Sequence, residues 1–267
     1  MNFLHIWAII LRQFYLLRSN FVRIVSLFLW ITVDILLWGF LTRYLSYIDK
    51  GGFDFVKLLL GAVLFWDFFN RIMYGVTMGF LEDVWARNFL NLFCSPITIK
   101  EYLLGLVSSS LIIGSFAFLI MVFIACLVFK LSFFSYGMII FPFLVVLLIF
   151  GTSLGILSMA IMLRFGPSAE WLIWPIPAIL SPFVGIFYPV SILPNWMQFI
   201  SKILPASYIF ESLRKVVLLD SVSYLDLFFG FSLALFYLIF FCIVLYLTYN
   251  HCLRTGSLTR YSAENIV

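Results

Sequence analysis

An all-α integral membrane protein with six transmembrane helices is the fold class this sequence predicts, and three observations carry it. Of the 267 residues, 64% are hydrophobic and only 10% are charged, against about 25% charged in soluble proteins. Mean hydropathy is +1.15, a value for chains that sit in lipid rather than water. Six apolar runs recur between short polar breaks, each about long enough for a helix to cross a ~30 Å hydrocarbon layer. One domain over residues 1–267 is expected.

Residues 1–20 place Phe3, Trp7, Ile10, Leu11, Phe14 and Leu17 on one helical face, with His5 and Arg12 opposite. That pattern fits a helix lying in the membrane interface. No signal-peptide core and cleavage site precede it, so insertion is expected to rely on the first uncleaved span. That span runs from about Ile24 to Leu41 and is followed by a polar loop, Thr42 to Lys57, turning at Asp49-Lys50-Gly51-Gly52. The second span is Leu58 to Leu81, the third Leu103 to Phe129 and the fourth Met138 to Leu163. A fifth, Trp171 to Val190, holds Pro175, Pro177, Pro182 and Pro189, so it must be bent or broken where freed carbonyls find other partners. Two amphipathic segments too short to cross follow within residues 191–224. Trp196, Phe199, Ile200 and Ile203 share a face in the first, and Ile209, Leu213 and Val216 in the second, where Glu211 faces Arg214 and Lys215. Pro194 and Pro205 stand where a first helical turn tolerates proline. The pair is expected as short half-buried helices, and the sixth span, Leu225 to Tyr249, closes the bundle.

Six spans put both termini on one side. With the N-terminus inside, Lys and Arg divide eight inside to seven outside, too even to set orientation by charge.

Asp34, Asp67 and Arg71 fall inside predicted spans, where an isolated charge costs at least about 2.5 kcal/mol. Asp34 and Arg71 both lie roughly 15 Å deep, and Asp67 is one turn from Arg71. Two readings stand: a structural cluster in which Arg71 serves both carboxylates, or an ion or proton relay.

Several chemistries are excluded or set aside. No basic run suits nucleic acid, and Cys94, Cys126, Cys242 and Cys252 have neither disulfide nor zinc spacing. Gly151-Thr152-Ser153-Leu154-Gly155 matches the G-x-S-x-G string of serine hydrolases, but the two histidines, His5 and His251, lie outside the spans and cannot activate Ser153. Gly151 and Gly155 instead read as a helix-packing face. No P-loop string occurs, so energy from nucleotide hydrolysis would have to come from another polypeptide. The 20% aromatic content fits lipid-facing bulk and interfacial belts.

Between spans two and three lies a polar island, residues 82–101. Written as one helix, it puts Leu81, Trp85, Phe89 and Leu92 on one side and Asp83, Arg87 and Asn91 on another, with Asp83 and Arg87 in the favourable i, i+4 order. Ser95-Pro96 stops that helix, since a residue before proline is pushed out of the α region.

Two blocks carry a family resemblance. One is Phe80-Leu81-Glu82-Asp83-Val84-Trp85-Ala86-Arg87-Asn88 with Leu92 and Ser95-Pro96. The other is Phe187-Tyr188-Pro189-Val190, Leu193-Pro194-Asn195-Trp196, Leu204-Pro205-Ala206 and Glu211-Ser212-Leu213-Arg214. In these the chain resembles an ABC-2 type permease, the membrane subunit of an ABC exporter, over essentially its whole length. The resemblance implies an inside N-terminus, a permease dimer and two copies of a separate ATPase that holds ATP and Mg, with no cofactor in this chain. It implies a bacterial inner membrane location and contact with membrane lipid. It maps an ATPase-coupling helix onto Glu82, Asp83, Trp85, Arg87, Asn88, Ser95 and Pro96, and an extracellular plug onto Pro194, Trp196, Pro205, Glu211 and Arg214. An ion-coupled secondary transporter built on Asp34, Asp67 and Arg71 is the alternative, and a non-transporting membrane scaffold a third reading.

Overall fold

The computed structural model describes residues 1–48, 55–86, 88–219 and 221–255, and all regular structure in them is helical. An N-terminal helix, α1 (Phe3–Ser19), is followed by α2 (Phe21–Ile48), α3 (Gly61–Trp85), a short α4 (Phe89–Cys94), α5 (Ile99–Phe129) and α6 (Ile140–Phe165). Then come α7 (Glu170–Ile173), α8 (Ile176–Val184), α9 (Asn195–Ile203), α10 (Pro205–Leu219) and α11 (Tyr224–Thr255).

Four segments among the described residues are long and apolar enough to cross a membrane: Ile24–Ile48, Ile99–Phe129, Tyr136–Phe165 and Tyr224–Thr255. These carry the first, third, fourth and sixth predicted spans. The second, α3, is 25 residues long, but Asp67, Asn70 and Arg71 lower its hydropathy. It tolerates them because it is the most enclosed helix: Leu64, Phe65, Phe69, Met73, Val76 and Phe80 are fully buried, and α5 and α6 pack against it. The fifth is broken as its prolines require, with α7 ending before Pro175 and α8 at Gly185, which adopts a left-handed φ of 72°. The expected loop from Thr42 is shorter than read, because α2 stays helical to Ile48; Asp49-Lys50-Gly51-Gly52 lies outside the described residues.

The expected helix-packing face on α6 is present. A Cβ added to Gly151 would stand 2.9 Å from the Phe69 carbonyl oxygen, and one added to Gly155 would stand 2.8 Å from Val76 Cβ and 3.1 Å from the Met73 carbonyl oxygen. These two glycines set the distance between α3 and α6. Ser153, between them, is fully buried in helix and donates to the carbonyl of Phe150 at 2.7 Å, so the hydrolase-like string is a packing surface.

Candidate functional site

The polar island is not one helix. α3 carries on to Trp85, a turn intervenes, and α4 restarts at Phe89 and stops at Cys94, with Ser95 extended before Pro96. Asp83 therefore belongs to the last turn of α3 and points inward, only 1% exposed. Arg12 on α1 donates to its Oδ1, and the Tyr102 hydroxyl on α5 donates to its Oδ2 at 2.5 Å. The expected partner, Arg87, lies outside the described residues.

A second polar joint sits beside the first. Thr98 caps α5 in a reciprocal box with Glu101, which satisfies two otherwise orphaned backbone donors. The Glu101 carboxylate also accepts from the Asn2 backbone N–H at 2.6 Å and pairs with His5 Nδ1 at 3.0 Å. Through these contacts α1 is fastened to the end of α3 and the start of α5. The polar face of α1 is thus turned into the protein, while Phe3, Trp7 and Phe14 stay exposed, as a lipid-facing surface would be. Trp85, half exposed, donates its indole N–H to Glu170 at 3.2 Å, and Trp174 donates to the same carboxylate at 3.1 Å. That brings the start of α7 to the same end of the bundle. Outermost are Asn91, Cys94, Pro96 and Lys100, all exposed on or next to α4.

Deeper in, Arg71 donates its Nε to Asp67 one turn away. Asp34 faces the same cavity, of about 630 Å³, but no salt bridge joins it to Arg71 among the described residues. The i, i+4 geometry on α3 gives the hydrogen bond of Arg71 to Asp67, while Asp34 on α2 stays outside hydrogen-bond reach and is attracted by the same guanidinium at longer range, so the expected cluster holds by charge and not by a second direct pair. Among the described residues no three His, Cys, Asp or Glu side chains converge as a metal site.

At the opposite end, Arg214 on α10 donates to the Gly185 carbonyl at 2.8 Å and to Glu211 at 2.8 Å, while Glu211 accepts the Val190 N–H at 2.7 Å. The broken fifth segment finds its missing partners there. Lys215 pairs with Asp226 on α11, not with Glu211. α10 is also more enclosed than a half-buried helix, with Ile209, Phe210 and Leu213 in the core and Pro205 buried at its first position. By contrast, α9 turns Trp196, Phe199 and Ile203 outward and buries Ser201.

The family model for the ABC-2 type transporter matches residues 5–218. The chain belongs to that family. No curated protein shows significant similarity to it. The chain is accordingly an integral membrane transport permease that carries no catalysis of its own, and permeases of this family generally work with an ABC ATPase.

In this permease the structure gathers Glu82, Asp83, Trp85, Asn88, Ser95 and Pro96 at one end of the bundle and Pro194, Trp196, Pro205, Glu211 and Arg214 around another loop cluster. Within the first group it divides labour, since Asp83 is an internal anchor and cannot be offered to another subunit. Missing from the sequence reading were Arg12, Tyr102, Asn2 and the His5–Glu101 pair. Thr98-Ile99-Lys100-Glu101 was a visible signal, because T-x-x-E before an apolar run marks a capping box. Arg12 and Asp83, 71 positions apart, carried no local signal.

The ion pair on α3 gives a direct test. Arg71→Asp is expected to cost on the order of 3–5 kcal/mol, because it strands a buried carboxylate beside a second one. Adding Asp67→Arg in the same chain should restore a monodisperse permease in fluorescence-detected gel filtration. Adding Asp34→Arg instead should not.

Proposed function

We infer that the permease is the membrane half of an exporter: two copies of this chain with two copies of a separate ATPase, which holds ATP and Mg, in a bacterial inner membrane. Six crossings with the N-terminus inside are reached if α3 and the broken α7–α8 segment complete the four long apolar helices. The cargo class is amphipathic: a polysaccharide, a lipid-linked glycan, a lipid or a drug. Alternating access follows if closure of the ATPase pushes on residues 82–101 and moves the ends of α3 and α5 together, while residues 191–224 close the outer side.

One observation supports this reading above the others. The short helix α4 exposes Asn91 and Cys94 and lies in sequence between α3 and α5, whose ends Arg12, Asp83 and Tyr102 tie to each other and to α1. Force applied to α4 would reach α3 and α5 through the chain and α1 through this joint, as a lever requires. The expected result of Arg87→Glu is a permease that still inserts and still binds its ATPase but no longer links ATP hydrolysis to export, measured as ATPase rate against cargo flux in proteoliposomes. Unchanged export would remove the coupling role from this loop.

An ion-coupled secondary transporter is the second reading, and the observation favouring it is the Asp34 carboxylate, which faces the cavity and accepts no hydrogen bond among the described residues. Transport that follows a proton gradient in vesicles without ATP would select it.

A further inference from the structure

The cavity around Asp34 has features that folding does not need. It lies among α1, α2, α3 and α5, with Trp174 at its edge. Two carboxylates, Asp34 and Asp67, face it with one guanidinium, and Arg71 is engaged by Asp67. Asp34 accepts no hydrogen bond among the described residues; Arg71 attracts it but donates to Asp67, so the two acids and one cation leave the chamber with a net negative charge inside a predicted span. Gln13 is 5% exposed, lines the cavity, and its Nε2 has no acceptor; the Oδ1 of Asn70, elsewhere in the lining, has no donor. Buried amides are normally satisfied, and both residues belong to the lining of the cavity that Asp34 faces. The walls add the rings of Trp30, Tyr74 and Trp174, surfaces that attract cations.

The cavity does not end blindly. Leu17 and Ile113 are shared with a second cleft of about 310 Å³, lined otherwise by Phe14, Ile24, Phe28, Ile112 and Phe116 and presenting no polar surface. A charged chamber thus opens beside an apolar slot of a size for an alkyl or aromatic tail.

We propose that this pair of cavities binds a cationic amphiphile, with a protonated amine held by Asp34 and Asn70, a hydroxyl or carbonyl oxygen further along the molecule accepting from Gln13, and the apolar tail in the slot between α1, α2 and α5. The net charge of the chamber decides the sign of the ligand. A zwitterionic headgroup would bring a phosphate that Arg71, already paired with Asp67, is not free to neutralise. This assignment narrows the cargo class within the exporter reading and rests on that reading for its role in transport, but binding itself needs no ATPase.

The test uses the full chain in nanodiscs of phosphatidylcholine and phosphatidylglycerol, with N-dansyl-1,10-diaminodecane, whose free terminal amine is protonated, and its uncharged N-acetyl counterpart as probes, read by energy transfer from tryptophan. The amine is expected to bind about tenfold more tightly than the acetylated probe, a little above what one charge pair gains in water. Asp34→Asn should bring the two affinities together, and Asp34→Glu should retain the preference. Equal binding of both probes by the wild-type chain overturns the proposal, as does a preference that survives Asp34→Asn. Competition by phosphatidylethanolamine as strong as that by unlabelled decylamine overturns the net-cationic assignment in favour of a lipid headgroup. Because no ATPase is present, failure here leaves the coupling reading standing, and failure of Arg87→Glu to uncouple leaves this one standing.

Discussion

Arg12→Leu is expected to lower the stability of the detergent-purified permease by about 3 kcal/mol, the lower end of what removing one partner of a buried ion pair costs. The lower end applies because the Arg12 side chain is 27% exposed whereas Asp83 is 1% exposed. The damage comes from the carboxylate left behind: Tyr102 and Asn88, both neutral donors, cannot replace a guanidinium at a buried anion. Asp83→Asn in the Arg12→Leu background should recover most of the loss, since a neutral amide no longer needs the cation. A thermal-denaturation double-mutant cycle reads this as strong coupling between the two positions. Additive effects would mean that α1 is not fastened through this pair.

The other large effect is expected at the contact between α3 and α6. Gly155→Leu introduces a branched side chain where even a Cβ meets Val76 Cβ at 2.8 Å and the Met73 carbonyl at 3.1 Å. Part of that obstacle is backbone, which no rotamer change relieves, so the two helices must move apart along a line where Phe69, Met73 and Val76 are fully buried. A cost of about 3 kcal/mol or more is expected, at the upper end for overpacking. Ser153→Ala on the same helix is the contrast. It removes only a bond to its own backbone, the Phe150 carbonyl at 2.7 Å, and should cost about 1 kcal/mol or less. Midpoints of thermal unfolding for the two variants separate a packing seam from a reactive serine.

What the sequence disclosed and what it hid divide along the range of the interaction. Helix class, the proline break ahead of Gly185 and the stop at Ser95-Pro96 are set by neighbours within a turn or two, and they appear where the residues placed them. The Arg71–Asp67 pair is likewise local, one turn of α3. Asp83 shows the limit. Its spacing to Arg87 satisfies the helical rule, yet the carboxylate turns to a cation and a phenol on two other helices, because α3 ends two residues later at Trp85 and its inner face is closed by α1 and α5. The face of α1 was legible as a pattern, but not which side met protein: hydrophobicity alone sends Trp7 and Phe14 away from water, and lipid satisfies them as well as a core does. The same ambiguity hid the outward turn of Trp196 and Phe199 on α9. For the cavity, the charges were visible one by one, and only their assembly gave Arg71 to Asp67 in preference to Asp34 and left the Gln13 amide without an acceptor in the same lining.

The claim on which the mechanism depends is that α4 faces the compartment of the ATPase. Cys94 is exposed on that helix, so a chain carrying Cys126→Ala, Cys242→Ala and Cys252→Ala reports on it with a membrane-impermeant maleimide. Labelling in inside-out vesicles and none in intact cells is the predicted result. Labelling from the outside of intact cells would contradict it.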